Sequence, residues 1–343
     1  MRAVVSDSHG KGKVSLRNVD EPGEPTGKNV KLRMKAVGVC GSDIHVFNGT
    51  ESYQRKSPVT LGHEMTGTVV STGSEVKGVR PGDRVVTETA SHVCGVCYNC
   101  RKGNYNLCPN RSGFGALIDG GMAEYLVVRE DILHKIPEGV DDVTAALTEP
   151  TCVAFNATST LGKIEPADSV MIIGPGPIGL LCLQVALLRS PHHASVLGIK
   201  SDADRLKLAL ELGADEIFDD PVTASAKLKH AGWGDGVDVV MDASGVSATL
   251  RTALEVVRPG GRIVKVGWGP DVPSFNLDQI VAKAVELRGS FSHNWETWER
   301  VLRLFGGGKL KPAAIAKTYA MNEWESAFRD MEERKIAKAV ILI

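Results

Sequence analysis

The sequence lacks the features that would direct it to a charged polymer or a membrane. Its 343 residues carry a formal net charge of -1, so no electrostatic excess draws it toward nucleic acid or an anionic bilayer. No apolar run approaches the roughly 18 residues that a transmembrane helix needs, and the start at Met1–Val4 lacks the apolar core of a signal peptide. Internal repeats and low-complexity segments are also missing. We therefore expect a cytoplasmic protein that binds a small molecule and neither nucleic acid nor membrane.

The remaining composition is ordinary for a globular protein, with 43% hydrophobic and 24% charged residues. The chain is longer than one hydrophobic core usually supports, so two domains are expected. Its seven cysteines are an odd number in a sequence without an export signal. That usage favours metal ligation over a disulfide framework.

The pattern of apolar residues changes near residue 150. Before it, short β-branched runs such as Val30–Met34 and Gly67–Val70 are broken by glycine and proline, which predicts a domain of short strands. After it, strand and helix patterns alternate: a strand over Ser169–Ile173, a buried helix over Pro177–Arg189 and a strand over Ser195–Ile199. This alternation indicates a doubly wound parallel sheet of the α/β class.

A glycine-rich turn joins the first of these strands to its helix. Its key residues are Gly174, Gly176, Pro177, Ile178 and Gly179. Gly174 would allow the tight turn, Gly176 would let backbone approach a pyrophosphate, and Gly179 would let the helix pack on the sheet. The helix N-terminus would supply amide donors and a positive dipole end. A structural turn that binds nothing is less consistent with the βαβ unit that continues beyond it, so a dinucleotide site is predicted.

The residues after the second strand bear on the choice between NAD and NADP. An acidic residue about 20 positions after the glycine turn normally binds the ribose 2′-hydroxyl of NAD. Lys200 stands there instead, followed by Ser201, with Arg205 as a further candidate in the next helix. A lysine could pair with a 2′-phosphate, which slightly favours NADP. The alternative is that Lys200 points to solvent while Asp202 or another group holds the ribose.

Four cysteines lie within fifteen residues in the pattern C-x2-C-x2-C-x7-C: Cys94, Cys97, Cys100 and Cys108. Four thiolates fill a tetrahedral zinc site and leave no open position, so a structural zinc is predicted. An iron–sulfur cluster is one alternative, but the seven-residue gap and the lack of a second cysteine cluster argue against it. A nucleic-acid-binding zinc ribbon is another, and the neutral charge and single cluster disfavour it.

A second candidate site combines residues that are far apart in the sequence: Cys40, His63, Glu64 and Glu149. Taken singly, a cysteine or a histidine is more often a packing residue than a ligand. Together the four supply a thiolate, an imidazole and carboxylates. This is the donor mixture of a catalytic zinc that keeps a position for water or substrate.

The motifs around these residues are similar to those of the zinc-containing medium-chain alcohol dehydrogenase family. Gly38–His45, Gly62–Glu64 and Gly82–Val85 occur in the family's order, and the cysteine cluster, Glu149-Pro150 and the glycine turn follow. The resemblance runs from the first strand to the C-terminus. It is strongest to the polyol branch, which includes sorbitol, butanediol and threonine dehydrogenases.

The resemblance implies a GroES-like catalytic domain over residues 1–151, a Rossmann nucleotide-binding domain over 152–290 and a return to the catalytic domain over 291–343. It also implies two zinc ions per chain, one catalytic and one structural, and NAD(P) as the hydride carrier. A homodimer or homotetramer is the assembly that it suggests.

The resemblance further assigns roles to the open site. By carry-over Cys40, His63 and Glu64 bind the catalytic zinc, while Glu149 is a fourth ligand or reaches the metal through water. Ser42 matches one of the family's proton-relay positions. Zinc lowers the pKa of a bound hydroxyl, and the resulting alkoxide can release a hydride to the nicotinamide.

Three further positions have a counterpart in the family. His45 matches the second proton-relay position, which would take the proton from the serine. Val266 and Gly267 match a stretch that lies along the nicotinamide. A surface or packing role is the alternative for the histidine.

Departures from the sorbitol enzymes leave the substrate open. Those enzymes carry an Arg-Tyr pair where Ser292–His293 follow Gly289–Phe291 in this sequence. Arg55, Lys56 and Arg111 could hold an anionic or phosphorylated substrate, although solvated surface charge is the favoured interpretation. The predicted reaction is hydride transfer between NAD(P) and a secondary alcohol of a polyol, sugar alcohol or sugar derivative.

Two other functions are alternatives for a chain with these motifs. A zinc-free quinone or enone reductase of the same superfamily would share the fold but would need no metal ligands at Cys40, His63 or Glu64. A catalytically idle zinc- or nucleotide-binding regulatory protein would keep the cysteine cluster and lose the open site.

Overall fold

A computed structural model of the chain describes residues 1–232, 234–269, 272 and 274–343. The strands, in chain order, are β1 (Arg2–Ser6), β2 (Val14–Asn18), β3 (Asn29–Gly38), β4 (Val59–Thr60), β5 (Glu64–Thr72), β6 (Arg84–Thr87), β7 (Ala90–His92), β8 (Ser112–Gly113), β9 (Tyr125–Arg129), β10 (Leu133–Lys135), β11 (Ser169–Ile173), β12 (His193–Leu197), β13 (Glu216–Phe218), β14 (Val237–Asp242), β15 (Val257–Lys265), β16 (Glu286–Gly289), β17 (Ala316–Ala320) and β18 (Lys338–Leu342). The helices are α1 (Gly41–Asn48), α2 (Tyr98–Arg101), α3 (Asp142–Ala146), α4 (Thr148–Phe155), α5 (Pro177–Leu187), α6 (Ala203–Glu211), α7 (Pro221–Leu228), α8 (Thr249–Val256), α9 (Asp278–Ala282), α10 (Trp295–Gly306) and α11 (Trp324–Glu332).

The chain divides into two compact units. The first contains Met1–Glu149 and His293–Ile343, and the second contains Pro150–Ser292. In the described ranges, no helix combines the length and apolar character needed to cross a bilayer.

The first unit is built on a mixed sheet with strand order β10-β6-β5-β3-β18-β17, to which β9 adds by pairing with β3. Its core is apolar and includes Leu32 and Met34 on β3. Two pairings of β3 position the candidate site. Gly38 lies opposite Glu64 of β5 on one side and opposite Val340 of β18 on the other. The last strand of the chain therefore runs beside the segment that enters α1.

The second unit contains a six-stranded parallel sheet with the order β13-β12-β11-β14-β15-β16. Starting from β11 as the first strand, this is the 3-2-1-4-5-6 order of the doubly wound dinucleotide-binding fold. Every residue of β11 is buried, as expected for a parallel strand with both faces covered. The predicted doubly wound parallel sheet of the α/β class is confirmed.

The predicted bounds in this unit are partly right. Strand Ser169–Ile173 is correct, and α5 ends at Leu187, two residues before the predicted end. The strand predicted over Ser195–Ile199 is wrong by two residues, because β12 pairs in register with β11 from His193 to Leu197. The apolar side chain of Ile199 suggested a longer strand, but it lies beyond the paired residues and is exposed.

Candidate metal sites and dinucleotide turn

The four clustered cysteines converge on one point of the first unit. The ligand atoms of Cys94, Cys97, Cys100 and Cys108 all lie within 4.8 Å of one another, and none is in a disulfide. Two of the sulfur separations, Cys94–Cys108 and Cys94–Cys100, are 3.6 and 4.0 Å. Four sulfurs about 2.3 Å from a central zinc would stand about 3.8 Å apart. The separations therefore fit a tetrahedral zinc site.

The thiols of this cluster differ in acidity. Backbone N–H groups of Val96 and Cys97 lower the pKa of the Cys94 thiol to about 6. Burial and the neighbouring thiols Cys97 and Cys108 raise the pKa of Cys100 to about 12. Without a cation the cluster does not readily hold four thiolates, so its sulfur-rich composition suits a divalent metal.

The open site is assembled by the start of α1 and the start of β5. The ligand atoms of Cys40, His63 and Glu64 lie within 4.8 Å of one another. Cys40 precedes the first turn of α1, where its N–H donates to the Asp43 carboxylate at 2.9 Å. A soft sulfur, an imidazole nitrogen and a carboxylate oxygen at this spacing are donors that suit zinc. The structure thus brings together three of the four residues predicted to form this site.

A buried lysine accompanies Glu64. The Lys338 ammonium lies 2.6 Å from the Glu64 carboxylate and donates to the Val39 carbonyl at 2.8 Å, and both charged side chains are almost fully buried. Gly38 makes room for this pair, since a Cβ there would come within 2.0 Å of a Glu64 oxygen. Burial raises the pKa of Glu64 even with the ammonium beside it.

His63 is basic in the metal-free protein. Burial alone would lower its pKa, but the charge of Cys40 and a hydrogen bond to it outweigh burial and raise the pKa to about 10. A cation is therefore favoured in this position. Zinc can take the place of the proton on the imidazole.

Glu149 lies near this group but outside it. Its charge acts on the pKa of His63 and of Glu64, yet it does not belong to the set within 4.8 Å. Its Oε1 accepts hydrogen bonds from the Thr89 hydroxyl and from His293 Nε2, each at 3.0 Å. Burial would raise its pKa, but the His293 hydrogen bond and the charge of protonated His63 lower that pKa below the usual range of a carboxyl group. Glu149 is therefore a carboxylate held in place beside the predicted ligands.

The two predicted relay residues share a face of α1. Ser42 is half-buried and His45, three residues on, is exposed. His45 Nδ1 lies 3.0 Å from the Thr50 hydroxyl. The Ser42 carbonyl accepts from the Tyr53 hydroxyl at 3.2 Å. Exposure thus increases from Ser42, near the predicted ligand Cys40, to His45.

The glycine turn has the shape that its sequence predicts. Gly174 follows β11 with φ +95°, and Gly176 precedes the first turn of α5, in which Pro177 and Ile178 stand. A Cβ on Gly179 would approach the Gly174 carbonyl oxygen to 1.8 Å, whereas a Cβ on Gly176 would meet nothing within 4 Å. The turn is therefore closely packed at Gly179 and open at Gly176, which fits the approach of a pyrophosphate to Gly176.

The residues predicted to select the cofactor lie in a short turn after β12. Lys200 and Ser201 are exposed, and Asp202 is buried, where its carboxylate accepts from the Ile199 N–H at 3.2 Å. Arg205 pairs with Asp202. Asp202 is therefore occupied by the protein, which weakens the alternative that it holds the ribose.

The predicted nicotinamide stretch follows β15. The N–H groups of Val266 and Gly267 donate to the Asp242 carbonyl at 2.8 and 3.0 Å. This anchors both residues at the carboxyl end of the parallel sheet. Ligands of open α/β sheets bind at that edge.

The interpretation of Arg55, Lys56 and Arg111 as solvated surface charge is wrong for Arg55 and Arg111. The Arg55 guanidinium is buried and pairs with Glu51 at 2.8 Å. Arg111 is half-buried, and burial lowers its pKa. Only Lys56, paired with Asp119 at 3.1 Å, resembles ordinary surface charge.

Sequence reasoning missed the roles of Lys338, Thr89 and His293 around the open site. They come from β18, from the segment before β7 and from the position two residues before α10. No local spacing connects them to Cys40, His63 or Glu64. The one available signal was the His293 departure from the Arg-Tyr pair of the sorbitol enzymes.

Two protein-family descriptions match the chain. An alcohol dehydrogenase GroES-like domain matches residues 26–138, and a zinc-binding dehydrogenase domain matches residues 177–306. The predicted GroES-like fold is thereby confirmed for the first unit.

Known proteins match the chain along nearly its whole length. A sorbitol dehydrogenase of Halalkalibacterium halodurans is 36% identical and covers 99% of each chain. A D-arabitol-phosphate dehydrogenase of Enterococcus avium is also 36% identical, covering 99% of this chain and 97% of that protein. A structure assigned to a zinc-binding dehydrogenase of Sinorhizobium meliloti 1021, bound to NADP, superposes with a TM-score of 0.90 at 29% identity and covers 100% of this chain and 99% of the other. The chain belongs to the zinc-type medium-chain alcohol dehydrogenase family, in its polyol branch.

Proposed function

We propose that this enzyme transfers a hydride between NAD(P) and a secondary alcohol of a polyol, sugar alcohol or sugar derivative. The observation that carries the proposal is the convergence of Cys40, His63 and Glu64 in a chain that also contains the glycine turn. The sorbitol and D-arabitol-phosphate dehydrogenases among its relatives act on substrates of this class. Neither a zinc-free reductase nor an idle regulatory protein would need this donor set.

The proposal includes two zinc ions per chain. Cys94, Cys97, Cys100 and Cys108 would hold the structural ion, and Cys40, His63 and Glu64 would hold the catalytic one. When bound at the open site, zinc supplies Lewis acidity that lowers the pKa of an alcohol hydroxyl.

The surrounding side chains orient the alcohol and move its proton. Glu149, held as a carboxylate, would be a fourth ligand or a hydrogen-bond acceptor for the substrate. Ser42 would take the hydroxyl proton and pass it along α1 to His45, whose exposure allows release to solvent.

We propose NADP as the slightly favoured cofactor. Gly174, Gly176 and Gly179 would cradle the pyrophosphate, while the exposed Lys200 and Ser201 would face the 2′-phosphate. Arg205 pairs with Asp202, so it would contact the 2′-phosphate only while it keeps that ion pair. Val266 and Gly267 would line the nicotinamide. The NADP-bound relative supports the binding of NAD(P) in general. Replacing Lys200 by Asp should move the preference toward NAD, and an unchanged NADP/NAD ratio would remove Lys200 from the site.

We also propose that the catalytic domain spans residues 1–151 and 291–343 and the nucleotide domain 152–290. A cytoplasmic homodimer or homotetramer is the proposed assembly. The resemblance to the family supports both statements, and gel filtration with light scattering would test the second.

The variant Cys40→Ala tests the metal assignment, with Cys182→Ala as a matched control because Cys182 is buried outside both metal clusters. We expect two zinc ions per wild-type chain, one in the Cys40 variant and two in the control. Turnover should vanish in the Cys40 variant while its melting temperature stays near that of the control. Wild-type rates in the Cys40 variant, or in chelator-stripped enzyme, would refute the proposal.

A screen of polyols, sugar phosphates and small diols with both cofactors identifies the substrate.

A further inference from the structure

Two hydrogen bonds hold one oxygen of Glu149 and leave the other oxygen available. Oε1 accepts from the Thr89 hydroxyl and from His293 Nε2, both at 3.0 Å. Among the residues that the structure describes, none donates to Oε2. All three side chains are more than nine-tenths buried. The orientation of the free oxygen is thus set by two donors on the opposite side of the carboxylate.

The hydrogen-bonding state of His293 is fixed by a tryptophan. The Trp298 indole Nε1–H donates to His293 Nδ1 at 2.7 Å. An indole nitrogen can only donate, so Nδ1 must be the acceptor of this bond. The ring proton therefore stands on Nε2 and points at Glu149. To relay a proton, the ring would have to take one at Nδ1, which already faces the indole N–H.

Trp298 is itself packed on all sides. It is fully buried, and the His134 ring stacks on it with centroids 5.4 Å apart and planes 8° from parallel. The two ring nitrogens of His134 face Glu88 at 3.1 Å and Glu299 at 2.8 Å, so neither ring can turn freely. Tyr105, from the loop between the third and fourth clustered cysteines, donates to Glu88. A continuous buried network therefore supports the donor that faces Glu149.

We propose that His293 is a positioning residue for Glu149, locked by Trp298 as a permanent Nε2–H donor that turns the Oε2 atom of Glu149 toward the catalytic metal and its substrate. The inference rests on the proposed function, which gives Glu149 its role beside the metal. It also explains the departure at this position, since a neutral, fixed donor here replaces the Arg-Tyr pair of the sorbitol enzymes.

Three variants separate this role from simple packing. His293→Phe keeps a ring and removes the donor. His293→Gln places an amide N–H near the position of Nε2 and should restore the bond. Tyr319→Phe is the matched control, because the buried Tyr319 hydroxyl donates to Asp330 at 2.6 Å elsewhere in the same unit. Should His293→Phe fail to fold, His293→Asn takes its place, since the shorter amide accepts from Trp298 but does not reach Glu149.

The experiment measures metal binding at the open site as well as turnover. Zinc-loaded protein is mixed with a chelator to measure metal release, and cobalt-substituted protein gives a visible spectrum that depends on ligand geometry. Loss of a group that orients a ligand typically weakens metal binding or activity roughly 10- to 100-fold. We expect His293→Phe to release the open-site metal faster and to lower kcat/KM by a factor in that range, with an altered cobalt spectrum. His293→Gln and Tyr319→Phe should stay close to wild type.

Different experimental results would overturn the proposed function and the role of His293. A wild-type protein without metal-dependent turnover overturns the proposed function. If the wild type turns over, three results overturn the role of His293: unchanged metal release and spectrum in His293→Phe, the same losses in Tyr319→Phe, or equal losses in His293→Phe and His293→Gln. The last result would show that the imidazole ring is needed and its N–H is not.

Discussion

At the scale of single residues, a buried ion pair fixes the carboxylate of the open site. Lys338 and Glu64 are both almost fully buried, with 2.6 Å between ammonium and carboxylate. Two charges removed from water stabilise little as a pair, but each is costly without the other. The pair therefore acts mainly to keep the Glu64 carboxylate beside Cys40 and His63. Its loss should weaken both the stability of the fold and the proposed metal binding.

We predict that Lys338→Met lowers the free energy of unfolding of the metal-free protein by about 3 kcal/mol, because it leaves a buried carboxylate unpaired. Lys335→Met is the control, since Lys335 lies on the surface and pairs with Glu333 there. Its change should stay within about 0.5 kcal/mol. Urea unfolding measures both, and equal midpoints for the two variants would show that Glu64 does not depend on Lys338.

At the scale of elements, residues 174–179, where the chain passes from β11 into α5, contain one glycine that we expect to serve folding and another that we expect to serve cofactor binding. Gly179 supports the contact between helix and strand, because its missing Cβ leaves space for the Gly174 carbonyl. Gly176 faces open space, and its φ of -74° is accessible to any residue. The two glycines thus lie in different surroundings, as their places in the motif predict.

We predict that alanine impairs a different property at each of these two positions. Gly179→Ala should lower the melting temperature of the cofactor-free protein, since a Cβ 1.8 Å from a backbone oxygen forces the helix and strand apart. Gly176→Ala should leave that temperature unchanged and weaken NADP and NAD binding, because its Cβ occupies the path of the pyrophosphate. Thermal unfolding and cofactor titration distinguish the variants. Normal cofactor affinity in Gly176→Ala would place the pyrophosphate elsewhere.

The same elements show what the sequence could predict. The cysteine cluster and the glycine turn are each formed by residues close together in the sequence, so their spacing was enough to predict their geometry. Cys40, His63 and Glu64 needed the family resemblance, because the pairing of β3 with β5 brings them together. The roles of Lys338 and His293 were not predicted, because both residues come from the C-terminal segment that returns to the first unit. The shifted bounds of β12 follow from pairing with β11, a constraint that no single segment contains.

At the scale of the whole molecule, both candidate metal sites belong to the first unit, which is formed by the two ends of the chain. Cys40 and His63 come from the N-terminal part, whereas Lys338 and His293 come from the C-terminal part. The open site is therefore complete only when the chain has returned from the second unit. Metal binding at this site should accordingly be coupled to folding of the entire first unit.

We predict that zinc binding to the metal-free protein at neutral pH releases a proton from His63. With its pKa raised from 6.5 to about 10, His63 is protonated at neutral pH, and zinc needs the deprotonated ring. The affinity of the open site should therefore rise with pH, up to about tenfold per pH unit for each displaced proton, and level off near pH 10. The sign for stability is opposite. The stabilisation that protonated His63 gives the metal-free fold is complete below about pH 6.5 and is lost as the pH rises through about 10.

Calorimetric zinc titrations in two buffers of different ionisation enthalpy count the protons that are released. Cys40→Ala serves as the control because it retains the four-cysteine site and should lose the release that belongs to the open site. The comparison cancels protons displaced from the clustered thiols, so the difference between the two proteins reports on Cys40 and His63 together. An equal proton count in wild type and Cys40→Ala would mean that zinc does not enter through these two residues, and the open site would then have to bind its metal by another donor set.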